Sequence, residues 1–371
     1  MINQQLAEVS NLTIVLAITL YVLALFGFGA DITLISQRRG DARLEARERE
    51  HDRELVGAGV SAAAEAPATA SAGTTDSASL PTDPVADNAP AGRSTTAAPG
   101  RDQVDGGVND ERQGMTPRRF AFTMAVVACV LHTSGVVMRG VATQRAPWAN
   151  MYEFAMTSAA GVMLVFLLFA ARRRDARSLG LFVVAPMLLV MLLAQTLWIV
   201  PAAALTPSLR NSHWLYIHIS VAVAATALSI LGAVIASLQL VQARHERALL
   251  AGTPTHWGRV GHVLDHLPSS RQLESLSFRI HAIGFVCWTF TLIFGAIWAR
   301  EAWGRFWGWD AKEVWTFVIW IVYAAYLHAR NTAFFRGSRA AWIALIGFVA
   351  VIFNYTVVNT VINGFHSYSG L

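Results

Sequence analysis

Charge is what this sequence has least of. Only 14% of its 371 residues are Asp, Glu, Lys or Arg, where a soluble domain carries about a quarter. Hydrophobic residues make up 54% and the mean hydropathy is +0.43. That balance excludes an ordinary soluble globular protein and requires much of the surface to face lipid. Cysteine is nearly absent too. Cys129 and Cys287 lie far apart in apolar runs, with no CxxC between them. That excludes a thioredoxin-like redox centre and a covalent cofactor-attachment motif on this chain, and both read as small buried hydrophobes. Residues 1–11 lack a basic n-region, and the apolar run Leu12–Ile35 is too long for a signal-peptide core. A retained membrane helix is expected there. The pI is near 9.6 and the formal charge +5, but the basic residues sit in short loops between apolar runs. They read as topology determinants rather than a nucleic-acid surface.

Runs long enough to cross a bilayer need about 20 residues. They occur near 12–35, 120–139, 153–171, 180–200, 215–241, 279–299, 313–329 and 341–362. The fold class is therefore an all-α polytopic membrane protein of about eight transmembrane helices. The seventh run is the shortest and most polar. Three regions are expected: an N-terminal helix at 1–36, a disordered cytoplasmic linker at 37–118, and a seven-helix core at 119–371. The linker opens with the charged QRRGDARLEARERE, then becomes Ala, Gly, Ser, Thr, Pro and Asp, too poor in large apolar side chains to offset the entropy of ordering. The clusters Arg38–Arg39, Arg118–Arg119, Arg172–Arg174, Arg244 to Arg271 and Arg330 to Arg339 alternate correctly with eight spans if they lie inside. The outer face then receives the 140–152 and 201–214 loops, the stretch 301–312 and the tail 363–371.

One outer stretch is unusual. WGRFWGWDAKEVW sets Trp303, Trp307 and Trp309 among Gly304 and Gly308, followed by Asp310, Lys312 and Glu313. An interfacial aromatic belt explains scattered tryptophans, but not a short run this dense in Trp and Gly. Glycine admits close backbone approach and indole supplies a rigid flat face. The pattern suits a shelf for a planar, hydrophobic, anionic molecule. His218 opens the fifth helix and His366 follows the eighth, both on the same expected side, so two imidazoles could hold a haem iron from opposite faces. His213 competes with His218 on spacing alone. His328 lies near the inner end of the seventh run, where an ionisable residue implies function or a snorkelling contact. His132 and His281 are in spans and read equally well as packing residues. Arg139, Arg145 and Arg210 occupy outer loops with Glu153, and arginine pairs well with carboxylates such as haem propionates.

The run WGRFWGWDAKEVW resembles the tryptophan-rich WWD signature, here residues 302–315, of a superfamily of haem-handling membrane proteins. Its continuation WIVYAAYLHAR is similar to that of the CcsA branch, also called ResC and in some lineages CcsB, of the system II cytochrome c synthases. Arg139, APWANMYEFAM, WLYIHIS and FHSYSG agree with it. The resemblance covers about Phe120 to the C-terminus. The first helix and linker are outside it.

The resemblance implies cytochrome c biogenesis. His218 and His366 would ligate haem b, held non-covalently as cargo, over a shelf formed by Trp303, Trp307, Trp309, Gly304, Gly308 and Asp310. His328 would bind haem at an inner site completed by a histidine of a ResB/CcsB-type membrane partner. The client would be a CxxCH apocytochrome c kept reduced by a thioredoxin-like protein, and the reaction a haem lyase's formation of two thioether bonds. The expected location is the plasma membrane, multi-pass, with the active face extracytoplasmic. A haem exporter or chaperone without ligase activity, and a scaffold without haem, are the alternatives. No residue reads as a dedicated acid–base catalyst.

Overall fold

The computed structural model describes residues 2–64, 115–202, 212–252, 261, 263–265, 267–362 and 364–366. The described residues are helical throughout, with no strand among them: α1 (Gln4–Ala64), α2 (Pro117–Thr143), α3 (Met151–Arg172), α4 (Gly180–Leu197), α5 (His213–Leu250), α6 (Ser270–Trp303), α7 (Ala311–Asn331), α8 (Ser338–Tyr355) and the single turn α9 (Val357–Thr360). Residues 1–37 and 115–371 form one unit, and 38–114 a second.

Local chemistry sets the helix ends. Thr116 caps α2 with Pro117 at its first position, where a missing N–H costs nothing. Ser269 and Gln272 form a reciprocal capping box at the start of α6, and Asp310 with Glu313 forms one at α7. Gly304, at φ +73°, ends α6 in the left-handed conformation that glycine adopts without strain.

Among the described residues, seven helical segments are long and apolar enough to cross a membrane: Gln4–Leu34, Pro117–Thr143, Met151–Arg172, Ala176–Leu197, His213–Leu250, Ser270–Trp303 and Ser338–Thr360. The eighth expected run is present as α7. Its 21 residues reach about 31 Å, the thickness of the hydrocarbon layer. Lys312 and Glu313 at one end, Arg330 at the other, and Trp and Tyr between make it the most polar of the set. Packing explains why it is helical all the same. It lies against both α6 and α8, and Ile319, Tyr323 and Tyr326 are buried there.

The core divides in two. Ile14, Tyr21 and Phe28, one heptad apart on α1, enter a large cluster with α2, α3, α4 and α5. Smaller clusters join α5 and α6 to α7 and α8 around Trp288, Tyr323 and Tyr326. The most extensive helix pair is α5 with α6, and the site described below lies at one end of it.

Helix α1 continues past residue 36 and through the charged patch, which the sequence allowed to extend it briefly, as far as Ala64. The stretch is rich in Ala, Arg, Glu and Leu, all good helix formers, and Glu45 with Arg49 forms an i,i+4 ion pair at 3.2 Å. The expected linker beyond it, 65–114, lies outside the described residues, as do Arg210 and the tail 367–371.

Candidate functional site

The 140–152 loop builds one wall. Glu153, in the first turn of α3, is buried with two arginines: Arg139 Nε is 3.2 Å from Oε1, and Arg145 forks onto both oxygens at 2.6 and 3.0 Å. The Ala149 amide also donates to Glu153, at 3.0 Å. Asn150 caps α3, and the Thr157 hydroxyl donates to the Pro147 carbonyl at 2.8 Å. Arg139 and Arg145 are thus both engaged with Glu153, where they position this loop. What the loop delivers is Trp148 and Met151, which face a cavity of roughly 200 Å³.

The cavity runs between α5 and α6. On α5 it is lined from Leu215 to Thr226, about 16 Å along the axis. On α6, Trp288, Thr291, Gly295 and Trp298 follow one another at helical spacing on one face and line it together. Trp288 marks its depth, donating its indole N–H to Ser229 Oγ at 2.9 Å. Phe154, Phe306 and Trp307 add apolar wall, and Lys312, Thr316, Asn354 and Asn359 form a polar corner where α7 meets the ends of α8 and α9.

Two histidines share this cavity. His218 places Nδ1 3.0 Å from the carbonyl of Thr291. A carbonyl only accepts, so Nδ1 carries the proton and the lone pair belongs to Nε2. Its ring fits because position 295 is glycine: a Cβ there would sit 2.8 Å from Cε1 and 3.0 Å from Nδ1. His366 places Nδ1 2.8 Å from Asp310 Oδ2, which sets the same tautomer. This is how protein ligands to metals are usually oriented, through a second acceptor on the other nitrogen. The hydrogen bond from His366 is the main reason the Asp310 carboxyl is pushed down to about 2, aided by the Phe365 and Lys312 amides and opposed by burial. Asp310 therefore does two things. It caps α7 and it holds residues 365–366 over the cavity.

Trp298 stands between the histidines. Its ring lies 6.1 Å from that of His218 and 6.0 Å from that of His366, so the two imidazoles are no more than about 12 Å apart. Its indole N–H is buried without a partner.

The expected Trp-rich shelf is rearranged. Trp307 lines the cavity. Trp303 packs edge-on behind His366 at 4.9 Å and behind Trp298 at 4.7 Å. Trp309 is 79% exposed, at φ +59°, and meets only the edge of Trp307 among the rings, at 6.0 Å. Gly304 ends α6. Gly308 gives its N–H to Glu313 at 2.8 Å, and the Arg305 guanidinium occupies the space a side chain there would need. Glu313 also takes the Asp310 amide and Arg305, so the loop is tied into one piece.

His328 is not part of this site. It is exposed in the last turn of α7, about 24 Å along the helix from Lys312. His213 is exposed at the start of α5 and does not line the cavity. His132 is buried against Tyr21, with ring centroids 6.0 Å apart. His281 is buried between Tyr323 and Tyr326, its Nδ1 2.8 Å from the Ser277 carbonyl. Trp148, Trp288, Trp298 and Gly295 were not singled out by the sequence reading, and Lys312 was named there only as part of the polar run after the tryptophans. The spacing of 288, 291, 295 and 298 on one helical face is the signal that could have found four of the α6 wall positions.

Fit to a planar iron-bearing cargo follows from the donor set: two imidazoles oriented through their Nδ1 atoms, indole and phenyl walls, and a cation at one corner. The family described as Cytochrome C assembly protein matches residues 148–366, more than half of the chain and beginning at Trp148 of the cavity wall. The cytochrome c biogenesis protein CcsA of Guillardia theta is 32% identical over 262 residues, covering 68% of this chain and 86% of that one. CcsA of Parasynechococcus marenigrum is 34% identical over 265 residues, covering 66% and 85%. CcsA of Chlamydomonas reinhardtii is 38% identical over 167 residues, covering 45% and 43%. With its helices, its Trp-rich loop and its matched span, this chain belongs to the cytochrome c assembly protein family.

Proposed function

We propose that this chain, a multi-pass membrane protein of cytochrome c biogenesis, presents haem b at the outer face and attaches it to apocytochrome c together with a ResB-type partner. The observation that carries this reading is the pairing of His218 with Thr291 and of His366 with Asp310 on the walls of one aromatic cavity. Each pairing puts the proton on Nδ1, the tautomer in which Nε2 is the nitrogen that would bind iron. Bis-histidine ligation saturates the iron and holds the macrocycle still.

The protein's contribution is then positioning, which lowers a barrier by roughly 7–11 kcal/mol in favourable cases. A reduced CxxCH cysteine adds across a haem vinyl: sulfur bonds to one vinyl carbon and the thiol proton ends on the other. The client's histidine replaces His218 or His366 as product leaves. A thioredoxin-like protein supplies the reduced thiols. His328, exposed and distant from the cavity, suits an inner haem site shared with a histidine of the partner.

The test is to co-express the full chain with its partner and record the absorption spectrum of the purified complex. A low-spin bis-histidine spectrum, lost in His218→Gly and His366→Gly and restored by added imidazole, supports the reading. Wild type without haem would defeat it. Incubation with a CxxCH peptide and a reductant then separates ligase from exporter, since only a ligase yields a peptide whose haem survives acid extraction.

A further inference from the structure

Among the described residues that line the cavity, Lys312 is the one lysine or arginine. Its ammonium has three N–H donors. One meets the Asn354 carbonyl at 2.9 Å and another Asn359 Oδ1 at 2.7 Å, both neutral. Among the described residues no ion pair joins this ammonium to a carboxylate, and Asp310 acts on its charge from farther off. The two nearest in sequence are committed elsewhere. Asp310 holds the Phe365 amide and His366, and Glu313 holds Arg305 and the Gly308 and Asp310 amides. Arg305, the other cation of the loop, is paired with Glu313 and lies over the rings of Trp303 and Phe365.

A plain structural role does not account for the charge. Tying α7 to the ends of α8 and α9 needs a donor, and a neutral amide would serve. A cation on a largely apolar wall is costly unless an anion joins it. The arginines that the sequence offered for this purpose, Arg139 and Arg145, already share Glu153.

We infer that Lys312 anchors a carboxylate of the planar cargo in the corner formed by Asn354, Asn359 and Thr316. The inference rests on the haem reading above and adds an orientation to it. The propionates of haem b lie on the edge opposite its vinyl groups. Fixing them at Lys312 turns the vinyl edge away from this corner, toward where a client thiol must approach. Lys312 is thereby a residue of orientation and specificity, separate from iron ligation.

The test uses the full chain purified with its partner and four probes: iron protoporphyrin IX, its dimethyl ester, and the metal-free forms of both. Dissociation constants come from absorption and from quenching of tryptophan fluorescence. Wild type is expected to bind each diacid at least about tenfold more tightly than its diester. Lys312→Gln is expected to erase that preference by weakening diacid binding alone, and Lys312→Arg to keep it. Equal affinity of wild type for acid and ester overturns the inference without any variant having to fold. So does an undiminished preference in Lys312→Gln. If iron protoporphyrin gives a bis-histidine spectrum and no such preference, only the role of Lys312 falls. If no probe binds wild type, the haem reading falls and takes this inference with it.

Discussion

Trp298 stacks parallel to His218, with ring centroids 6.1 Å apart and planes within 8° of each other. The same indole meets His366 edge-on. One side chain of α6 therefore sets the attitude of a histidine from α5 and of another that follows α9. The two proposed ligands come from segments almost 150 positions apart, and neither is held by its own helix alone. His218 depends on the Thr291 carbonyl and on the bare backbone at Gly295, and His366 depends on Asp310.

Gly295→Ala exploits that dependence. The added methyl meets His218 Cε1 at 2.8 Å, so the ring must shift. Overpacking of this kind costs about 1–3 kcal/mol, equivalent to a roughly 5- to 150-fold loss of haem affinity. Alanine is also the better helix former by about 1 kcal/mol. The variant is expected to bind haem more weakly while its thermal midpoint without haem falls less, because helix propensity offsets part of the overpacking. A parallel fall in both quantities would mean that the methyl damages the fold and not the ligand.

Asp310→Asn separates the carboxylate's two jobs. Asn is an equally good N-cap, so α7 is expected to persist and the thermal midpoint to change little. The hydrogen bond to His366 loses its charge, and such outer partners are worth roughly 10- to 100-fold in affinity for the metal. Haem titration of the purified variant should show a loss in that range, with a low-spin spectrum at saturation. Asp310→Ala should add a loss of about 1 kcal/mol in stability from the missing cap.

How far this site was readable in the sequence depends on how its residues are spaced. Trp303, Trp307 and Trp309 stand out because they are contiguous, yet only Trp307 reaches the cavity. Trp309 is turned outward by a left-handed backbone that no composition reveals. Trp288, Thr291, Gly295 and Trp298 are scattered through an apolar run, and only the period of the helix gathers them onto one face. Seven of the eight runs were legible because lipid demands apolar length, and the other, α7, is a more polar helix. Their long-range pairings were not legible, and the fate of Arg139 and Arg145 turned on such a pairing. Nothing in RGVATQRAPWANMYE distinguishes an arginine that meets Glu153 from one that meets a ligand. The full extent of α1, beyond the brief extension the charged patch suggested, was hard to see for the opposite reason: the segment to Ala64 lacks an apolar face, and its helix rests on propensity and the Glu45–Arg49 pair.

Glu153→Gln tests the wall. It leaves Arg139, 2% exposed, and Arg145, 9% exposed, facing a neutral amide. Breaking a buried ion pair by removing one partner costs about 3–5 kcal/mol. The variant is expected to accumulate poorly in the membrane and to unfold at a markedly lower temperature in detergent. Because the loop it anchors carries Trp148, whatever protein survives should also show weaker haem binding. A thermal midpoint within a degree of wild type would show that water or lipid headgroups reach these arginines and that the network is not buried in the membrane.

Trp309 separates the two ways of reading the Trp-rich run. If its indole covered the cargo, as the resemblance implies, replacing it would weaken haem binding as much as replacing Trp307. Its 79% exposure and φ of +59° argue otherwise. A large side chain held in the left-handed region costs about 1–2 kcal/mol, which glycine avoids. Trp309→Gly is therefore expected to leave the thermal midpoint unchanged or slightly higher and the haem spectrum intact. Trp307→Gly, which removes part of the cavity wall, should weaken haem binding several-fold. Should Trp309→Gly retain haem but fail to modify a CxxCH peptide, the exposed indole would belong to the surface that receives the client. Equal loss of haem in both variants would instead place Trp309 on the cargo and require the loop to close over it when haem is present.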